Sequence, residues 1–161
     1  MADRVVGTNQ QKKAELTAWA QGLAQASGLE VTASVRKDEP EGLTIAFDGP
    51  DARLLVGRGG QVLDALQYIA SLTINARGAV GRLHVTFDAD NYRARREDTL
   101  RRVAQELAEQ VLATGQEAVL DPLSPMERRI VHQAVMETPG VRTYSEGEEP
   151  DRYIVIAPAE G

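Results

Sequence analysis

The sequence predicts an α+β protein in two parts, and three observations carry that prediction. The apolar residues of the first half follow the order α-β-β-α-α-β. A second, shorter series follows as α-β-α-β-β. The pattern changes near Asp88 to Asp90, and no repeat, low-complexity tract or flexible linker marks the change. The 161 residues suit two small domains as well as one of ordinary size.

The elements follow in order. From Gln10 to Ala26, Leu16, Trp19, Ala20 and Leu23 fall at helical spacing, and Ser27-Gly28 stops the helix. Leu29 to Arg36 alternates, with Leu29, Val31, Ala33 and Val35 on one face. Gly42 to Asp48 alternates again, with Leu43, Ile45 and Phe47 inward. The residues KDEPEG between them read as a turn. Gly49-Pro50-Asp51 opens a short helix over Asp51 to Val56, since proline and aspartate both suit a helix start. A longer helix runs from about Gly60 to Ala76 with the stripe Val62, Leu63, Leu66, Ile69, Ala70 and Thr73. Arg82 to Phe87 is a strand with Leu83, Val85 and Phe87 inward. In the second part, Leu100, Val103, Ala104, Leu107, Val111 and Leu112 form one face of a long helix ending at Gly115. Ala118 to Leu120 is a short strand, and Ser124-Pro125 starts a helix to Met136. Strands Val141 to Ser145 and Arg152 to Ala157 flank the acidic turn EGEEPD.

Composition removes several chemistries. There is no cysteine, which excludes disulfides and a thiol nucleophile. His84 and His132 are the only histidines, too few for a histidine-rich metal site, so neither a metal nor a cofactor is expected. No apolar run reaches the length of about 18 residues that spans a bilayer, and no secretory signal opens the chain. The expected location is the cytoplasm. The net charge of -6 opposes non-specific nucleic-acid binding in the aggregate. Its distribution points the other way: Arg77, Arg82, Arg93, Arg95, Arg96, Arg101 and Arg102 crowd into one window with four acids.

The stretch Leu54 to Ala70, LLVGRGGQVLDALQYIA, places Gly57-Arg58-Gly59-Gly60 between two apolar helices. A helix-to-helix turn needs only one C-cap glycine. Glycine at both ends permits positive φ and leaves the backbone uncovered, so that N–H groups at the following helix start can meet an anion. Arg58 adds a cation. A second GxxG, Gly78-Ala79-Val80-Gly81, sits in a helix-to-strand turn and needs no such account. No glycine is followed by lysine, so a phosphate-binding GxxxxGK[ST] loop is absent.

Helix, strand pair, helix–GxxG–helix and strand together resemble a type II KH domain over Gln10 to Asp88. The resemblance implies that Gly57, Arg58, Gly59 and Gly60 clamp the backbone of about four single-stranded nucleotides. Such loops commonly carry one or two central basic residues, and here Gly59 stands where the second would be.

The long helix of the second part opens with Arg93, Arg95 and Arg96, where each cation opposes the helix dipole by about 0.3–1 kcal/mol. That placement calls for an anion nearby. Tyr92 beside them could stack on a base or sit half-buried. In SPMERRIVHQAV, Arg128 and His132 are four apart and share a helix face. ERRIVH, VRTYSEGEEPDRYIVIAP and DNYRARREDTL resemble the Arg-xxx-His ("R-three-H") domain of the bacterial Jag/KhpB family, in which a KH domain comes directly before it. The resemblance implies a non-catalytic binder of single-stranded nucleic acid, with RNA the usual partner and DNA the alternative, acting in post-transcriptional regulation or as an RNA chaperone. It implies that Arg128 and His132 contact phosphate or sugar, or hold the surface that does, and that Arg129, Arg93 and Arg96 extend the track. In the acidic turn, either Glu146 or Glu148 would orient an arginine, or the turn is a plain hairpin.

Family members often work with a small KH-only partner protein. Many also carry an N-terminal Jag domain and a basic linker tied to membrane-associated partners and to cell elongation or sporulation. Residues 1–9 read as a short leader, 10–88 as the KH domain and 89–161 as the R-three-H domain, so the RNA-binding half is the expectation, without membrane insertion. The rivals are a protein adaptor on a degenerate KH scaffold and, more remotely, a metal-dependent nuclease using carboxylates such as Asp88 and Asp90.

Overall fold

The computed structural model describes residues 2–40, 42–75 and 82–159. The predicted helix end at Ala76, Arg77, the second glycine pair and Glu41 of the predicted turn lie outside the described residues. The chain divides into two compact units, Met1–Arg93 and Ala94–Gly161.

In the first unit, helix α1 (Ala2–Ala26) begins well before Gln10, so the residues read as a leader form its first turns. Leu16, Ala20 and Ala24, spaced by four, are buried, and Trp19 and Leu23 pack beside them. The buried Lys13 ammonium bonds the Asp38 carboxylate and the Glu39 carbonyl, and the Asn9 amide donates to the Pro40 carbonyl at 3.2 Å. These bonds pin α1 to the tip of a hairpin.

Strand β1 (Thr32–Glu39) starts later and ends later than predicted. Val35, paired in register with Ile45, is exposed, and a bulge between Val35 and Lys37 shifts the alternation of the residues beyond it. Pairing continues out to Glu39↔Gly42, and Lys37 to Glu39 of the predicted turn are strand. Strand β2 (Gly42–Asp48) buries Leu43, Ile45 and Phe47 as predicted. It is the central strand, antiparallel to β1 and parallel to β3 (His84–Ala89).

A parallel neighbour requires a crossover, and α2 (Gln61–Asn75) supplies it. The element order matches the α-β-β-α-α-β that the type II KH resemblance implies, with a 3-10 turn over Ala52–Leu55 in place of the short helix expected over Asp51 to Val56. The core gathers Leu83, Val85 and Phe87 of β3, whose Phe87 ring lies 5.6 Å from Phe47 and 5.8 Å from Trp19.

The predicted stripe of α2 is rotated by one residue. Leu63, Ala70 and Ile74 are buried, whereas Val62, Ile69 and Thr73 are exposed. The helix is apolar on most of its circumference, so spacing alone did not choose the buried face.

β3 turns into α3 (Tyr92–Thr114) through Asp90 and Asn91, both at positive φ, a conformation that Asp and Asn adopt more readily than most residues. Asp88, almost fully buried, caps α3 by accepting from the N–H groups of Ala89 (2.9 Å) and Arg93 (3.2 Å).

In the second unit α3 buries Leu100, Ala104, Ala108 and Val111, while Leu112, predicted inward, is exposed. Gly115 at φ 70 ends the helix and donates to the Val111 carbonyl at 2.8 Å. The antiparallel sheet has the order β4-β6-β5, from β4 (Ala118–Val119), β5 (Val141–Glu146) and β6 (Tyr153–Pro158). Central β6 buries Ile154 to Ala157.

Helix α4 (Pro125–Met136) has the predicted bounds because its start is written in a capping box. The Ser124 hydroxyl accepts from the Glu127 N–H at 3.3 Å, and the Glu127 carboxylate accepts from the Ser124 N–H at 3.0 Å. Ser124→Ala is expected to cost about 1 kcal/mol, read as a lower denaturation midpoint of the second unit.

Candidate nucleic-acid interface

In the first unit a 3-10 turn over Ala52–Leu55 leads into the loop, and a second turn over Arg58–Gly60 leads out into α2. Gly57, Gly59 and Gly60 have φ of 71, 58 and 88. Their roles differ. A Cβ on Gly57 would lie 2.4 Å from Val62 Cγ2, and one on Gly60 would lie 2.9 Å from the Tyr92 ring. A Cβ on Gly59 would meet nothing within 4 Å. Gly60 is buried under Tyr92, whereas Gly57, Arg58 and Gly59 are exposed. Tyr92, left open between stacking on a base and partial burial, packs half-buried against the core of this unit.

The Val62 N–H turns back to the Val56 carbonyl at 3.1 Å and is not available to a ligand. The N–H groups of Arg58 and Gly59 meet no backbone carbonyl among the described residues, so they remain free for an anion. The Arg58 side chain has no hydrogen bond or ion pair there either, and the same holds for exposed Arg53 just upstream. Sequence reading missed Arg53; it expected an apolar groove beside the loop to accept bases but named no residues for it, and Leu54, Val62, Tyr68, Ile69 and Leu72 are the exposed large apolar residues before and after the loop. Of these, Val62 and Ile69 were expected in the buried stripe of α2, and their positions on the helix expose them.

Arg93 and Arg96 at the start of α3 find anions within the protein. Arg93 donates from Nε to the Phe87 carbonyl (2.7 Å) and from Nη2 to Asp64 (3.0 Å) and Gln67 (3.2 Å). Within the first unit it joins the residues after β3 to α2. Arg96 donates from Nε to Glu127 at 2.7 Å, the same carboxylate that closes the capping box of α4. The dipole argument correctly called for anions, but they are Asp64 and Glu127. Asp88 is occupied as a helix cap and ion-pairs with Arg36 at 3.7 Å. Among the described residues, no three His, Asp or Glu side chains gather as metal ligands, and no helix is long and apolar enough to cross a membrane.

In the second unit, Arg128, Arg129 and His132 line a shallow concavity with Pro125, Tyr144 and Ser145. His132 is exposed, and its Nδ1 bonds the Thr143 hydroxyl of β5. When Thr143 donates, the outward Nε2 carries the proton and can donate to a phosphate. Arg128 is nearly buried. Its Nη1 donates to the Leu123 carbonyl at 2.6 Å, and its fork meets both oxygens of Glu149. The acid that orients an arginine is therefore Glu149; Glu146 accepts from the Tyr153 hydroxyl at 3.0 Å. Arg129 is exposed and has no hydrogen bond or ion pair among the described residues.

The hydrogen bond from Arg128, with smaller help from the Arg128 and Arg152 charges, lowers the Glu149 pKa below its ordinary value. A carboxylate depressed in this way stabilises the fold above its unfolded pKa, and that contribution disappears as pH falls through the folded value. Glu149→Gln is expected to flatten the acid limb of the stability–pH curve of the second unit, measured by denaturation from pH 7 to pH 3. Glu146 raises the Tyr153 pKa, and desolvation followed by Glu117 raises that of Tyr144, so both phenols stay protonated at neutral pH.

Comparison with known proteins follows the same division. Residues 13–86 match the KH domain of KhpA and KhpB, and residues 98–158 match the R-three-H domain. A protein of Bacillus subtilis named RNA-binding protein KhpB is 35% identical over 150 residues, covering 92% of this chain and 69% of its own length. Proteins of the same name from Clostridium symbiosum and Lactiplantibacillus plantarum are 38% and 40% identical, over 82% and 71% of this chain. The matched segments span 60% and 35% of those two relatives. With both domain types matched in order and a relative aligned over most of both lengths, the chain belongs to the Jag/KhpB family.

Proposed function

We propose that this chain binds single-stranded RNA without catalysing a reaction on it, as a post-transcriptional regulator or RNA chaperone of the KhpB type. One observation carries the reading: a loop of three positive-φ glycines presents two N–H groups and an arginine, all unpaired among the described residues, at the start of α2. That geometry suits a phosphodiester, because it offers donors and a cation with no side chain in the way. The exposed apolar residues Leu54, Val62 and Ile69 offer surface to the bases. The second unit adds the exposed face of α4 around His132. Single-stranded DNA would meet the same backbone donors and serves as the comparison ligand. A small KH-only protein is the partner that the family resemblance implies, tested by co-elution of the two proteins.

Fluorescence anisotropy with labelled single-stranded RNA over a salt series tests the proposal. Each phosphate neutralised contributes a slope of about -0.7 in log K against log salt. The expected slope reflects only a few phosphates, because most of the arginines named above are paired internally. Absence of binding to a degenerate RNA pool at low salt would sink the reading in favour of a protein adaptor, whose partner affinity would change little with salt.

A further inference from the structure

We infer that in the Arg-Arg-xx-His segment of α4 the phosphate contact is made by Arg129 together with His132, while Arg128 is an internal bracket that fastens α4 to the acidic turn. The inference rests on the RNA-binding reading above and sharpens it to particular side chains.

Exposure and donor use separate the two neighbouring arginines. The Arg128 side chain is 11% exposed. Both hydrogens of its Nη1 are committed, one to the Leu123 carbonyl and one to Glu149, and Nη2 completes the fork on the same carboxylate. A phosphate could use that edge only by displacing Glu149. The turn around Glu149 also carries Glu146, Glu148 and Asp151, which repel a phosphate there. Arg129 is exposed and, among the described residues, has all its donors available. It lies three residues before His132, so the two share a face as well as Arg128 and His132 do. The outward Nε2 of His132 then supplies a neutral or charged donor beside the Arg129 guanidinium, and the Ser145 side of β5 closes the concavity. Arg93 and Arg96 are likewise committed, to Asp64 and Glu127.

The test measures anisotropy salt slopes and thermal stability together, on the full chain. Arg129→Ala is expected to weaken RNA binding several-fold, to reduce the slope by about 0.7, and to leave the melting temperature unchanged. Arg128→Ala is expected to lower the melting temperature of the second unit. Because that variant could fail to fold, Glu149→Gln is read against Glu148→Gln, which removes the same charge from the same turn without touching Arg128. The two glutamine variants should share one salt slope. A steeper slope for Glu149→Gln alone would mean that the freed Arg128 takes a phosphate, and would overturn the inference. So would an unchanged slope in Arg129→Ala when the parent protein binds RNA. If the parent shows no salt-dependent RNA binding, the RNA reading falls and the inference falls with it.

Discussion

Gly57→Ala is expected to destabilise the first unit by about 3 kcal/mol, from two additive sources. The first is backbone strain. At φ 71 and ψ -169, Gly57 lies in a region that only glycine populates readily, and forcing alanine there costs roughly 1–3 kcal/mol. The second is collision. The new Cβ would stand 2.4 Å from Val62 Cγ2 and 3.1 Å from the Val62 nitrogen. Neither can retreat cheaply. Valine in a helix is nearly locked in one χ1 rotamer, and the Val62 N–H is bonded to the Val56 carbonyl. Overpacking of this kind costs about 1–3 kcal/mol. Trp19 provides the readout, since it is the sole tryptophan and stacks on Phe87 in the core of this unit. Denaturation followed by its emission should show the loss. Val62→Ala in the Gly57→Ala background removes Cγ2 and should recover part of it. Gly59→Ala, with open space for its Cβ, should cost only about 1 kcal/mol. Equal midpoints for the two alanine variants would refute the distinction between the glycines.

That distinction also shows what was legible in the sequence. Three glycines in a row of four could be read as a loop with unusual backbone demands, but not which glycine answers to sterics and which to φ alone. Gly57 and Gly60 are constrained by Val62 and Tyr92, contacts that form only when α2 and the start of α3 are placed. Element order was legible because period and punctuation are local: Ser124-Pro125 with Glu127 fixes the start of α4 by bonds spanning three residues. The rotation of α2 was not legible, because Val62 and Ile69 are as apolar as Leu63 and Ala70, and the sheet decides which set is covered. The internal partners of the arginines were not legible for a related reason. Arg93 finds Asp64 and Arg96 finds Glu127, partners 29 and 31 residues away. A basic run at a helix start predicts that an anion is needed. It cannot say whether the anion is a ligand or a distant carboxylate of the same chain.

Gly59→Asp is expected to cut RNA affinity at least tenfold while leaving the Trp19 transition within about 1 kcal/mol of the parent. The fold tolerates the change because φ 58 and ψ 21 fall in the left-handed helical region, which aspartate and asparagine visit, and because a Cβ there meets open space. The ligand does not tolerate it. The carboxylate would stand between the free N–H groups of Arg58 and Gly59 and ahead of any phosphate approaching them. Two unit charges about 4 Å apart repel by roughly 1 kcal/mol in bulk water and roughly 4 kcal/mol at an effective dielectric near 20. A partly desolvated loop lies between those limits, and the middle of that range, about 2–3 kcal/mol, exceeds the 1.4 kcal/mol of a tenfold loss. Gly59→Asn separates charge from shape, since it has nearly the same volume and backbone preference without the charge. Asparagine should retain most of the affinity, and the gap between the two variants should narrow as salt rises. If asparagine lost as much as aspartate, the loop would be acting by close contact that excludes any side chain rather than by holding a phosphate. If neither variant changed the affinity, RNA would be bound without this loop, and the three positive-φ glycines would be explained by the turn between the two helical segments alone.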